Sequence, residues 1–140
     1  MRDIFNPGLL VLILMLLPSI GFSQEVDGAD TAWIMTSTAF VLFMTIPGLS
    51  LFYGGLVRVR NVLSVLMQCF AITCVASIVW LVCGYSLAFG DGNAFIGDFS
   101  KVLFAGIQED TVRGSIPESV FALFQMTFAI ITPALIFGGF

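Results

Sequence analysis

The chain has 140 residues, 59% of them apolar and only 10% charged, with a net charge of −4 and a mean hydropathy of +1.06. A soluble domain averages about 25% charged residues, and a core this small cannot hide so much apolar surface, so the solvent is lipid. The one basic run is Arg58-Val59-Arg60 and there is no histidine, which leaves nucleic-acid binding without an electrostatic footprint and excludes imidazole chemistry within these residues.

The chain opens with a weakly basic start, Arg2 partly offset by Asp3, followed by a short apolar core from Leu9 to Leu17. Pro18 breaks that core, and Gly21-Phe22-Ser23 places small residues where a signal peptidase reads. Residues 1–23 are expected to be a cleavable signal peptide, with Gln24 as the mature start and an uncleaved anchor as the other reading.

Three uncharged spans follow, with helices expected over about 31–57, 61–89 and 116–140. Each exceeds the ~20 residues that cross a bilayer, and the first two are long enough to tilt or protrude. The first span carries Pro47-Gly48 in its middle and closes on Gly54-Gly55. A bilayer helix tolerates such residues where neighbouring helices or waters take up the freed backbone groups, so this span belongs inside a polytopic bundle.

Only the turn Arg58-Val59-Arg60 separates the first two spans, which makes them an antiparallel pair, with Asn61 expected to cap the second. Gln68, Thr73 and Ser77 of the second span are read as interhelical glue. Cys69, Cys74 and Cys83 have no CxxC spacing and are read as small buried apolar side chains.

A long loop runs from Gly90 to Gly114. Gly90-Asp91-Gly92-Asn93 reads as a turn; it is similar to a piece of a calcium loop but lacks the remaining acidic positions. The apolar stretch from Val102 to Ile107 is expected to fold against the bundle as a short helix. Ser115-Ile116-Pro117-Glu118 has the pattern of a capping box, with Pro117 in the first turn.

Loops retained in the cytoplasm are enriched in Lys and Arg. The Arg58-Val59-Arg60 turn is purely basic, Glu25–Asp30 is purely acidic, and the loop from Asp91 to Glu118 sets five acids against Lys101 and Arg113. The mature N-terminus and the long loop are therefore expected outside, in a multi-pass protein of the cell (inner or plasma) membrane.

In the third span Glu118, Gln125 and Thr132 recur every seven residues, and Phe121 and Phe128 fall on the same stripe, with Phe124 flanking it. Polar groups in a membrane helix face a bundle interior or a wet cavity. Aromatic rings interleaved with them suit a small cation, which is drawn to a π face. Ordinary helix packing accounts for the same spacing. Ala134 and Gly138 form a small-xxx-small contact on another side. The span is still apolar at Phe140, with no basic stop, so a partial chain is expected. With no nucleophile–base pair, metal cluster or phosphate loop, the reading is not an enzyme, and no cofactor is implied.

Three blocks resemble the ammonium transporter family (Amt, with fungal Mep and animal Rh relatives). The first is Ala32-Trp33 through Val41-Leu42-Phe43-Met44-Thr45-Ile46-Pro47-Gly48, then Leu51-Phe52-Tyr53-Gly54-Gly55-Leu56-Val57-Arg58 and Asn61-Val62-Leu63-Ser64. The second is Trp80 with Gly84-Tyr85-Ser86-Leu87-Ala88-Phe89-Gly90-Asp91-Gly92, and the third runs from Phe124 to Thr132. The resemblance covers about Ala29 to Phe140.

It implies an all-α membrane fold in which this chain supplies the N-terminal three of eleven helices, part of an inverted repeat. It also implies a homotrimer, each subunit with its own hydrophobic pore for ammonium, ammonia and methylammonium, and a PII-type regulatory protein as a possible partner. An outer vestibule binds the cation by aromatic contacts, and a pair of stacked phenylalanines closes it. Phe128 matches the outer ring of that pair and Phe124 an aromatic just above it, with Gln125 beside them on the polar stripe. Met126 and Thr127 depart from the usual Gly and Ser. The family's twin pore histidines, its vestibule tryptophan and serine, and its buried aspartate fall beyond Phe140, so the chain alone is expected not to conduct. An ammonium-sensing receptor module and a nonconducting truncated protein are the alternatives.

Overall fold

The computed structural model describes residues 25–93 and 95–137; the expected signal peptide lies outside them. Three long helices are present: α1 (Gly28–Leu56), α2 (Val59–Phe89) and α3 (Glu118–Phe137), each long and apolar enough to cross a membrane. The fold is thus an all-α membrane fold. At ~1.5 Å per residue, α1 and α2 each extend roughly 45 Å against a ~30 Å hydrocarbon layer. They tilt or project past it.

α1 starts at Gly28 because Asp27 caps it: the carboxylate accepts from the N–H groups of Ala29 (2.7 Å) and Asp30 (3.2 Å). At Pro47 the helix widens into a π turn over Met44–Leu49. Proline has no N–H and its ring crowds the carbonyl one turn back, so the ladder loosens there. Two buried hydroxyls take up the slack: Thr45 donates to the Val41 carbonyl (3.1 Å), and Ser50 donates to the Ile46 and Pro47 carbonyls.

α2 begins as a 3₁₀ turn, Val59–Asn61, and Asn61 makes no side-chain cap bond, contrary to expectation; its backbone is already helical (φ −103°, ψ −6°), whereas a capping residue is extended. A second π turn, Trp80–Gly84, interrupts it near the other end.

The expected antiparallel pair is looser than the short turn implied. α1 and α2 meet where Ser50–Leu56 lies on Val62–Val79, next to the turn. Farther along, α3 packs against both, on Gly28–Phe43 of α1 and on Val62–Val79 of α2. The molecule therefore has a turn end, at Arg58–Arg60, and a loop end, where residues 90–117 connect α2 to α3.

The expected interhelical glue is a local device instead. Thr73 and Ser77 donate to the Cys69 and Thr73 carbonyls of their own helix (3.0 and 2.7 Å). Such back-bonding satisfies a hydroxyl without a partner helix. Gln68 borders a 460 Å³ recess at the turn end with Tyr53, Asn61 and Ser64. Of the cysteines, Cys69 is buried but Cys74 is exposed on the outer face of α2.

The capping box is overturned. Residues 112–117 form a small antiparallel hairpin, β1 (Val112–Arg113) and β2 (Ile116–Pro117), pairing Val112 with Pro117 and Arg113 with Ile116. Gly114 turns it at φ +72°, a backbone region that suits glycine. Ser115 is therefore at the hairpin tip. Its hydroxyl donates to Asp30 at the start of α1 (2.5 Å), and its carbonyl accepts from the Asp27 N–H (2.8 Å). α3 starts at Glu118, whose N–H donates to the Thr111 carbonyl (2.8 Å).

Candidate functional site

The loop end is assembled from α2 outward. Ser86, fully buried, accepts the Gly90 N–H on its carbonyl (2.8 Å) and donates its hydroxyl to the Asp98 carbonyl (2.7 Å). Its hydroxyl also accepts the Lys101 N–H (3.0 Å). The loop thus folds back onto the end of α2. A side chain at Gly97 would overlap the carbonyls of Ser86 and Leu87, so this approach requires glycine. Gly90–Asn93 is a turn, as expected: the Asn93 side chain accepts from the N–H groups of Phe95 and Ile96 (both 3.0 Å). Asp98 accepts from the Ser100 hydroxyl and N–H, which holds its carboxyl below the usual range. Val102–Phe104 forms a short 3₁₀ turn within the expected helical stretch, and Phe104 lies edge-on to Tyr85 with ring centroids 5.3 Å apart.

Returning to the bundle, Lys101 meets Glu118 in an ion pair. The same Glu118 oxygen accepts the Tyr85 hydroxyl (2.6 Å) and lies 3.7 Å from Arg113 Nη1. Glu118 and Tyr85 are buried. A buried carboxylate is tolerated because its charge is paired and one of its oxygens is hydrogen-bonded. The Arg113 guanidinium then lies against two rings at once, 4.8 Å from the centroid of Phe89 and 4.6 Å from that of Phe121. Those rings contact each other edge to face at 5.1 Å.

This changes the meaning of the seven-residue stripe on α3. Its first two members, Glu118 and Phe121, do not line an open surface; both are engaged by the loop. The sequence pattern could not reveal this, because their partners lie on α2 and in the hairpin. Below them, Phe124 and Phe128 stack edge to face at 5.1 Å. Phe128 is 43% exposed and Gln125 half-buried. Thr127, fully buried one residue before Phe128, donates to the Phe124 carbonyl (2.6 Å). Thr132 donates to the Phe128 carbonyl (3.0 Å), so its hydroxyl is spent within the helix.

One other side of α3 is committed to packing, while Leu123, Leu135 and Ile136 are exposed. Thr127, Ile130 and Ala134 are fully buried. Ala129 and Pro133 line an apolar groove of 490 Å³ with Val79, Trp80 and Gly84 of α2. The Trp80 indole N–H donates to the Ala122 carbonyl (3.1 Å). An added methyl at Gly84 would come within 3.0 Å of the Trp80 ring, so the bare backbone there gives the indole its place.

Chemically, the open stretch offers two aromatic faces, one amide and no unpaired charge. It can attract a cation.

The profile of the Ammonium Transporter Family matches residues 32–140. An ammonium transporter of Aquifex aeolicus (strain VF5) is 39% identical over 137 residues, covering 95% of this chain and 32% of the relative. One of Bacillus subtilis (strain 168) is 43% identical over 113 residues, covering 79% of this chain and 28% of the relative. The crystal structure of Candida albicans Mep2 superposes with a TM-score of 0.72 at 32% identity, over 82% of this chain and 26% of that one. The chain spans about a third or less of the length of these relatives.

Proposed function

The chain belongs to the ammonium transporter family, and from that premise we propose that it forms the outer entrance of a pathway that conducts ammonium, as ammonia, across the cell membrane. Ammonium and potassium are similar in size, so a hole of fixed width does not separate them. Ammonium can shed a proton and cross an apolar throat as a neutral molecule. A metal cation cannot, and faces the full cost of desolvation there. Rings placed before the throat concentrate the cation by their π faces.

In this reading Phe124 holds the cation, Gln125 offers an amide oxygen to its N–H groups, and Phe128 is the ring that closes the entrance. The carrying observation is the Phe124–Phe128 pair, 5.1 Å apart on the part of α3 that the loop leaves uncovered. The exposed Arg58 and Arg60 at one end and the acidic loop at the other favour an inner- or plasma-membrane orientation with the loop end outside. A homotrimer and a PII-type regulator on the basic side complete the reading.

The test is Phe128→Ala in the complete protein, with methylammonium uptake measured alone and against excess potassium. Slower uptake or weakened discrimination is expected. Unchanged rate together with unchanged selectivity overturns the assignment of Phe128.

A further inference from the structure

We propose that Arg113 is a built-in occupant of a second cation site, a box formed by Phe89, Phe121 and the carboxylate of Glu118 that accepts a small alkylammonium ion once the guanidinium is removed. The box has the two elements such a ligand needs. Its walls are two rings facing the same guanidinium at 4.8 and 4.6 Å, and its floor is a carboxylate oxygen 3.7 Å from Nη1. The Tyr85 hydroxyl, 3.4 Å from the same nitrogen, adds an acceptor.

The box survives the loss of Arg113. Phe89 and Phe121 belong to α2 and α3 and contact each other directly, at 5.1 Å. Glu118 remains anchored by Lys101 and by the Tyr85 hydroxyl. Arg113 itself sits in β1, outside the helices, and its side chain is 38% exposed, so a solute can reach the space it fills. Charge points the same way. Lys101 and Arg113 stand against Glu118, with Asp98 close enough to feel Lys101, and removing Arg113 leaves the carboxylates in excess. The filled box repels a cation; the emptied box does not.

The position gives this a consequence for the entrance proposed above, and that part rests on the transport reading. Phe121 lies one helical turn before Phe124 and Gln125. A cation resting on Phe121 is held short of Phe128. Arg113 denies it that resting place and leaves Phe124 as the first free ring, so it determines the affinity of the entrance without touching the transported ion.

The experiment uses Arg113→Gln and Arg113→Lys in the complete protein. Methylammonium binding is read as the rise in melting temperature over an equal concentration of sodium chloride, and methylammonium uptake gives KM and Vmax. Arg113→Gln is expected to bind methylammonium about two- to five-fold more tightly than the parent, the range for one exposed cation–π contact, and to lower KM by a similar factor without raising Vmax. Arg113→Lys, which refills the box with its own ammonium, should keep the parent values, and adding Phe121→Leu to Arg113→Gln should erase the gain. Arg113→Thr, suited to a strand, carries the same test if Arg113→Gln does not fold. Binding equal to that of the parent, whatever the melting temperature of the variant in sodium chloride, overturns the proposal and leaves Arg113 as a clasp. If no form of the protein takes up methylammonium, the transport reading fails, while the binding arm still decides this one.

Discussion

Trp80 donates its indole N–H to the carbonyl of Ala122, 42 residues away in sequence and 3.1 Å away in space. Because α3 keeps its own ladder running past Ala122, the carbonyl's second lone pair serves the indole, and the bond fixes the height of α3 against α2. Trp80→Phe keeps an aromatic ring, smaller than the indole, and removes the donor. The expected cost is about 0.5–1 kcal/mol, the usual worth of one such bond between membrane helices. Equilibrium unfolding in mixed micelles measures it; a loss of zero assigns the contact to ring packing alone.

Lys101 and Glu118 join the loop to α3, with side-chain exposures of 25% and 6%. Exposed ion pairs contribute ~0–1 kcal/mol, and breaking a fully buried one costs ~3–5 kcal/mol. Glu118→Gln should fall between these limits, because Lys101 can turn to water while Glu118 cannot. A double-mutant cycle with Lys101→Met isolates the pair. Strict additivity of the two single changes contradicts a direct coupling.

Ser50 is buried beside Pro47 and donates to two carbonyls that the π turn loosens. Ser50→Ala leaves those acceptors in an apolar setting and should cost about 1 kcal/mol. Ser50→Thr keeps the hydroxyl and should recover most of it. Thermal unfolding of the three proteins side by side provides the comparison, and equal loss in both variants argues for a packing effect.

The hydrogen bonds from Ser100 lower the folded-state pKa of Asp98. A depressed carboxyl contributes stability above its unfolded value, near ~3.9, and that contribution is lost as pH falls through the lower folded value. Amide exchange at Ser100 and Lys101, corrected for intrinsic rates, should be steady from neutral pH to about 5 and lose protection below about 4. Asp98→Asn should flatten the profile. An unchanged profile in the variant would place the titration elsewhere.

The three helices were legible because long uncharged runs have few alternatives in lipid; Pro47-Gly48 was legible as a mark of a packed bundle helix, but the π turn it produces was not. The loop end was not legible, for a reason visible at Glu118. Spacing to Ser115 suggested a local cap, but Gly114 bends the chain into a hairpin and releases Glu118 to meet Lys101 and Tyr85. Likewise Phe121 fits a periodic stripe on α3, while its role depends on Arg113 and Phe89, which no periodicity connects. Local patterns predict local bonds. The loop end is built from distant ones, so sequence located Phe124, Gln125 and Phe128 on a helix and said little of what stands before them.

The fastenings among the described helices are distributed unevenly. Trp80 to Ala122, Tyr85 to Glu118 and Ser115 to Asp30 all tie the loop end, whereas Tyr53 to the Leu135 carbonyl, at 3.3 Å, serves the turn end. At the turn end α1 and α2 stay joined by the short turn and by packing of Ser50–Leu56 on Val62–Val79, so α3 is the freer member there. Spontaneous fluctuations should therefore part α3 from that pair at the turn end while the loop end keeps its shape, which makes the loop end a fixed frame against which any moving part must work.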